Sequence, residues 1–274
     1  VFDAAIYHPH PPLRYILLHH MLYVSDSLFF LRSMAFIPGV ALIPVFFLIG
    51  RRTAGIAAGI VMALLVTFSH AGMMLSEVLR TYILGAFFVS VGLYAFLSYT
   101  EENRLKYLYY YGGAMTLGLL SHYFTIVPVV AIVFVWLGLV ARSKRQLSDL
   151  FKLLLANLPV AVVALGGYVF HLSSRNPHRW WLNIDKERLA SQFPDNLPGF
   201  AVNSLKLFHY LFFSQHAWWL LLLAGAGLAV LWVTRRRVVA LVIILTFGLN
   251  ILLTLADKYP FGGTRQSFFL LPYV

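Results

Sequence analysis

Cysteine is absent from all 274 residues, which excludes disulfides and thiolate chemistry. Charge is scarce: Asp, Glu, Lys and Arg make up 11% of the chain, against about 25% in soluble domains. Acidic residues are scarcer still, 10 against 21 basic ones, for a net charge of +11. What fills the space is apolar. Sixty per cent of residues are hydrophobic and the mean hydropathy is +0.79. Such a composition cannot be a single water-soluble core. It predicts an all-α, polytopic transmembrane bundle.

Bilayer-crossing helices need about 20 mostly apolar residues. Runs at 34–50, 54–69, 83–99, 151–172, 214–233 and 238–256 meet or approach that length. The stretch 107–140 is too long for one span and too short for two, and "SHYF" (121–124) breaks it. It is expected to form a broken helical hairpin, with a last span starting near Phe268. The Val1 start and the apolar run "SFFLLPYV" at the other end suggest a single membrane domain over 1–274. It would be the middle of a longer protein, missing a first span, a first outer loop and a C-terminal part.

Basic clusters at 51–52, 104–106, 142–145 and 235–237 fall on one side if the hairpin returns to its starting face. By the positive-inside rule that side is cytoplasmic. The other side would carry residues 1–33, 70–82, the "SHYF" turn, the loop 173–213 and 257–267. Within that loop "DKERLASQF" is expected to be a short helix, and "SSRNPH" and "FPDNLPGF" to be turns. The positive charge flanks spans instead of forming a folded patch, so nucleic acid is not an expected partner.

The unusual chemistry collects on that outer side. In "HAGMMLSEVLRTYIL" (70–84), Glu77 and Arg80 sit between two apolar runs, where charge is costly and by default functional. If the break is helical, they stand at i,i+3 and could neutralise each other. Alternatively, the planar fork of Arg80 faces a phosphate and Glu77 orients it. Tyr82 adds a hydroxyl or an interfacial anchor. "HPHPPLRYILLHHML" (8–22) reads as a proline-started interfacial helix, with His8 and His10 placed to line an outer cavity. No further ligand follows at a diagnostic interval, so no metal site is assigned, although a divalent metal stays open. His122 and Tyr123 interrupt the hairpin at its outer tip. In "DKYPFGGTRQS" (257–267), Gly262 and Gly263 allow a tight turn that delivers Arg265, and Lys258 could snorkel. "RNPHRWW" offers Trp180 and Trp181 for anchoring or for stacking on a sugar.

The ordered set "HPPLRYILLHHM", "LRSMAFIPGVALIPVFFLIGRRTAGIAAGIVMALL", "SEVLRTY", "GLLSHYF" and "YPFGGTRQSFFLLP" resembles the polytopic GT-C glycosyltransferases. The likeness is to their bacterial dolichyl-phosphate-mannose-protein mannosyltransferase-like branch. The resemblance implies an inverting membrane enzyme with its site on the extracytoplasmic face of a bacterial inner membrane. It would pass a sugar from a polyprenyl-phosphate carrier to a lipid, glycan or protein acceptor. By position, Arg80, Tyr82 and Arg265 would contact the donor phosphate, and His10, Glu77, His122 and Tyr123 would line the cavity. The family's Asp-Glu motif is expected upstream of "HPPL"; "VFDAAIY" does not match it, and Asp3 is not assigned as the base. A transporter or flippase of lipid-linked sugars, or a noncatalytic membrane subunit, is the rival expectation.

Overall fold

The computed structural model describes residues 11–172, 197–213, 217–256 and 258–274; the side chains of 170–172, 197 and 266 are outside the description. The described chain is almost wholly helical and, among the described residues, contains no strand. It is an all-α polytopic bundle.

The helices run α1 (Leu13–Val24), α2 (Leu28–Ala54), α3 (Ile56–Thr67), α4 (His70–Ser76), α5 (Tyr82–Glu102) and α6 (Leu105–Ser121). A 3-10 turn (Tyr123–Thr125) leads into α7 (Ile126–Val140), followed by α8 (Gln146–Gly166), which ends in a π turn (Gly167–Leu172). Then come α9 (Leu197–Phe212), α10 (Ala217–Val233), α11 (Arg237–Leu255) and a closing 3-10 segment (Arg265–Tyr273). Among the described residues, five helices are long and apolar enough to cross a membrane, and up to seven spans result if two bent pairs count as one each.

Close contact is built from small residues. Helix α5 is the most enclosed span, and Gly85, Ala86, Ser90, Gly92, Ala95 and Ser98 line its buried length. Small side chains let neighbouring backbones approach, which drives helix association where the lipid is as apolar as leucine. Gly50 and Gly59 do the same where α2 meets α3. A Cβ on Gly50 would stand 2.6 Å from the Ala58 carbonyl oxygen, and one on Gly59 would stand 2.7 Å from that of Phe47. On the outward side, α8 exposes Leu154, Leu158, Val162 and Leu165 at helical spacing, as a lipid-facing stripe should.

The four basic clusters do gather at one end. Arg52 donates to Glu101 at 2.9 Å and to Glu102 at 2.7 Å, and Arg236 reaches Glu101 at 3.2 Å. Tyr107 donates to Glu102, so α6 starts where α5 ends. The stretch 105–140 therefore leaves this basic end and comes back to it, with its turn at 121–125. Its two arms are not a flat pair, however. Helix α6 lies chiefly on α5 and α8, and α7 on α11 and α8, with the Tyr111 and Trp136 rings 5.7 Å apart as a bridge.

Two expectations need correction. The stretch 197–213 is not loop: α9 begins at Leu197, inside the expected "FPDNLPGF" turn. Pro198 is no obstacle there, because the first helical N–H groups have no partner to lose. The last apolar segment is not an α-span starting at Phe268 but a buried 3-10 segment from Arg265, packed on α5. Pro272 cannot donate to an α ladder at that point.

Candidate functional site

Opposite the basic end, three chain breaks converge. The first follows α3: Ser69 caps α4 by accepting from the Gly72 N–H at 3.1 Å, and donates to the Leu211 carbonyl at 2.8 Å. The bend between α3 and α4 is 56°. It is pinned to α9. Helix α4 then stops at Ser76, and residues 77–81 form a bend with no helical ladder.

That ending decides the local geometry of Glu77 and Arg80. The i,i+3 pairing expected of a helical break is not available. Among the described residues no ion pair joins the two, and neither has another ionic partner. Glu77 is exposed and Arg80 half-buried, two residues before the start of α5.

Tyr82 opens α5 and forms the floor of a cluster. Its ring lies 4.9 Å from that of His122, which the 121–125 break presents. Gly85, one turn further along α5, makes room: a Cβ there would stand 3.2 Å from the His122 Cβ. The guanidinium of Arg265 sits 5.9 Å from the centre of the Tyr82 ring, within cation–π range. Tyr123 shares the turn with His122 but lies against Gly167 at the end of α8.

Arg265 arrives there by a constrained route. Gly262 has φ 140°, in the region only glycine enters freely, and a Cβ on Gly263 would stand 2.5 Å from the Lys206 carbonyl oxygen. Asn203 on α9 donates to the Phe261 carbonyl at 2.9 Å and fastens the loop. The Phe124 and Tyr259 rings, 3.5 Å between centroids, pack the 121–125 turn against the same loop. Burial pushes the Tyr259 hydroxyl well above its ordinary pKa, so it stays neutral.

Helix α9 contributes a residue that the sequence reading did not select. Tyr210 is within electrostatic reach of both Tyr82 and Arg265, and among the described residues its buried hydroxyl has no hydrogen-bond partner. Buried polar atoms are almost always paired. An idle hydroxyl beside an arginine is an open donor. The signal was in the sequence: Asn203, Leu207, Tyr210 and Leu211 recur at helical spacing, and α9 buries Asn203, Leu207 and Leu211.

Arg265, Tyr82 and His122 therefore come together in one cluster, and Arg80 lies two residues before Tyr82 in the chain. His8, His10, Asp3, "DKERLASQF", "SSRNPH", Trp180 and Trp181 lie outside the described residues. Among the described residues, no three His, Cys, Asp or Glu side chains gather as metal ligands would.

A family model described as dolichyl-phosphate-mannose-protein mannosyltransferase matches residues 9–167, more than half of the chain. The chain belongs to that family. Membership makes it a membrane glycosyltransferase using a polyprenyl-phosphate-linked sugar, and favours transfer over mere transport. No curated protein and no solved structure matches it. The family match takes in Arg80, Tyr82, His122 and Tyr123, whereas Tyr210 and Arg265 join the cluster through the fold.

Proposed function

We infer that the chain carries the donor side of an inverting sugar transfer, on the membrane face opposite its basic end. The observation that supports this most directly is the approach of the Arg265 guanidinium to the Tyr82 ring beside His122, drawn from three separate segments. A polyprenyl phosphate lies with its tail in the bilayer and its phosphate at the surface. Arg265 and Arg80 meet that phosphate, and the Tyr82 and Tyr210 hydroxyls donate to its oxygens. Glu77, His122 and Tyr123 line the approach, as His10 would in the resemblance.

The reaction requires little more of this region. An acceptor hydroxyl attacks the anomeric carbon from the face opposite the phosphate, and the bond to the phosphate oxygen breaks. Its electron pair leaves with the phosphate, whose growing charge the arginines stabilise. The acceptor proton passes to a carboxylate base, which the resemblance assigns to an acidic motif upstream of "HPPL". The acceptor is a hydroxyl of a lipid, glycan or protein. The positive-inside rule supports a cytoplasmic basic end, and with it a site on the outer face of the membrane.

Membranes containing the full-length protein, supplied with a polyprenyl-phosphate sugar, test the reading. The expected product has its anomeric configuration inverted, as proton–proton coupling constants would show. Retention of configuration, or transfer only from a nucleotide sugar, overturns it.

A further inference from the structure

The basic end of the bundle takes no part in the proposed transfer. A cavity of about 460 Å³ opens there among α2, α5, α7, α8 and α11. Its rim is polar, with Arg52, Glu101, Arg235 and Arg236, and its floor is apolar, with Trp136 and Val239 prominent. A charged rim over an apolar floor matches an amphiphile better than a simple ion.

The charges on that rim are unevenly satisfied. Arg52 is held by two carboxylates, Glu101 and Glu102. Arg236 has a single 3.2 Å contact with Glu101, and both partners are about half exposed. Arg235 has no ionic partner among the described residues, and its backbone is held at φ 63°. A non-glycine residue in the left-handed region is uncommon and costs of order 1 kcal/mol, which is often retained where a side chain must be aimed. Asp149 does not cancel the excess, because Ser143 and Lys152 already occupy it.

We propose that this cavity binds a phosphate-bearing ligand, its phosphate between Arg235 and Arg236 and its apolar part against Trp136 and Val239. An anionic phospholipid of the adjacent leaflet and a soluble phosphate ester share that headgroup chemistry. Glu101 competes with the ligand for Arg236. This site is independent of the sugar-transfer reading, since it lies at the other end of the bundle.

The test is native mass spectrometry of the full-length protein in detergent, titrated with phosphatidylglycerol or with phosphatidylcholine of identical chains. Phosphatidylglycerol is expected to be retained preferentially. Arg235→Gln should weaken that retention about fivefold, the usual weight of one basic residue at an anionic headgroup. Glu101→Gln should strengthen it, because Arg236 loses its competing carboxylate. Non-specific attraction of anionic lipid to the basic end would respond as strongly to Lys106→Gln, outside the cavity lining, so a loss in Arg235→Gln that Lys106→Gln reproduces overturns the site. Glycerol phosphate at millimolar concentration separates the two sources. Displacement of the lipid assigns recognition to the headgroup alone, and failure to displace it assigns a lipid held by head and chain together. Equal retention of the two lipids, or a phosphatidylglycerol preference that neither variant changes, overturns the proposal.

Discussion

The guanidinium of Arg265 lies 5.9 Å from the centre of the Tyr82 ring, so the end of the chain's last loop rests on the first residue of its most enclosed helix. The ring quadrupole attracts the cation, while Arg265 itself stays exposed to a ligand. A cation held this way has lost part of its freedom before the donor binds, which reduces the ordering cost of binding.

Arg265→Ala should therefore lower transfer at limiting donor by roughly ten- to a hundredfold, the scale of one charge-assisted contact of about 1.5–3 kcal/mol. Arg265→Lys keeps the charge but loses the fork, and should recover only part of the loss. Unchanged turnover of the alanine variant at low donor concentration would remove Arg265 from the phosphate site. Protein yield and thermal stability should stay near wild type, because the side chain is exposed.

Tyr210→Phe separates a donor-binding hydroxyl from a packing ring. Its buried hydroxyl has no partner among the described residues, so removing it should leave stability unchanged or raise it by about 1 kcal/mol. If the hydroxyl meets the donor phosphate, KM for the donor rises several-fold while the folded protein is as stable as before. A variant with improved stability and unaltered kinetics would make Tyr210 a structural residue only.

Orientation has its own check. Reporter fusions after Arg52, Arg145 and Arg237 should all signal cytoplasm, and a fusion at Gly263 should signal the outer side. The ion pairs from Arg52 and Arg236 to Glu101 already bring two of the basic clusters to one end. An outer signal at Arg145 would contradict the return of α7 to that end.

Much of this fold was legible because lipid imposes one rule on the chain, that apolar runs of sufficient length become helices. The breaks at Glu77 and at "SHYF" were equally visible, since charge and histidine interrupt long apolar runs. Helix α9 was not, because "FPDNLPGF", with Pro198, reads as a turn and hides the helical spacing that follows it. The 3-10 path of Arg265–Tyr273 was also hidden, as it depends on packing against α5. In the site, Arg265, Tyr82 and His122 were chosen for type and side of the membrane, and the fold brings them into contact. Tyr210 falls in the stretch 173–213 that reads as loop, which gives it no fixed face. What the sequence could not supply was distance.

The bend at residues 77–81 gives the last prediction its sign. Had α4 continued, Glu77 and Arg80 would have faced each other, and losing either would have stranded the other's charge. With the helix ended at Ser76 and Glu77 exposed, Glu77→Gln should be close to neutral for stability, within about 0.5 kcal/mol, as at other surface positions. Arg80→Gln should fold normally yet lose most transfer, because a half-buried cation with no ionic partner among the described residues is available to the donor phosphate. The double variant then decides between the two arrangements. A mutually neutralising pair predicts that Glu77→Gln restores what Arg80→Gln removed, whereas independent residues predict a double variant as inactive as Arg80→Gln alone. Arg80→Lys, with its charge kept and its fork lost, should fall between wild type and Arg80→Gln. Transfer from a polyprenyl-phosphate sugar in membranes, normalised to protein level, measures all four variants. Recovery of activity in the double variant would return Glu77 and Arg80 to a structural pair and leave Arg265 as the arginine at the phosphate.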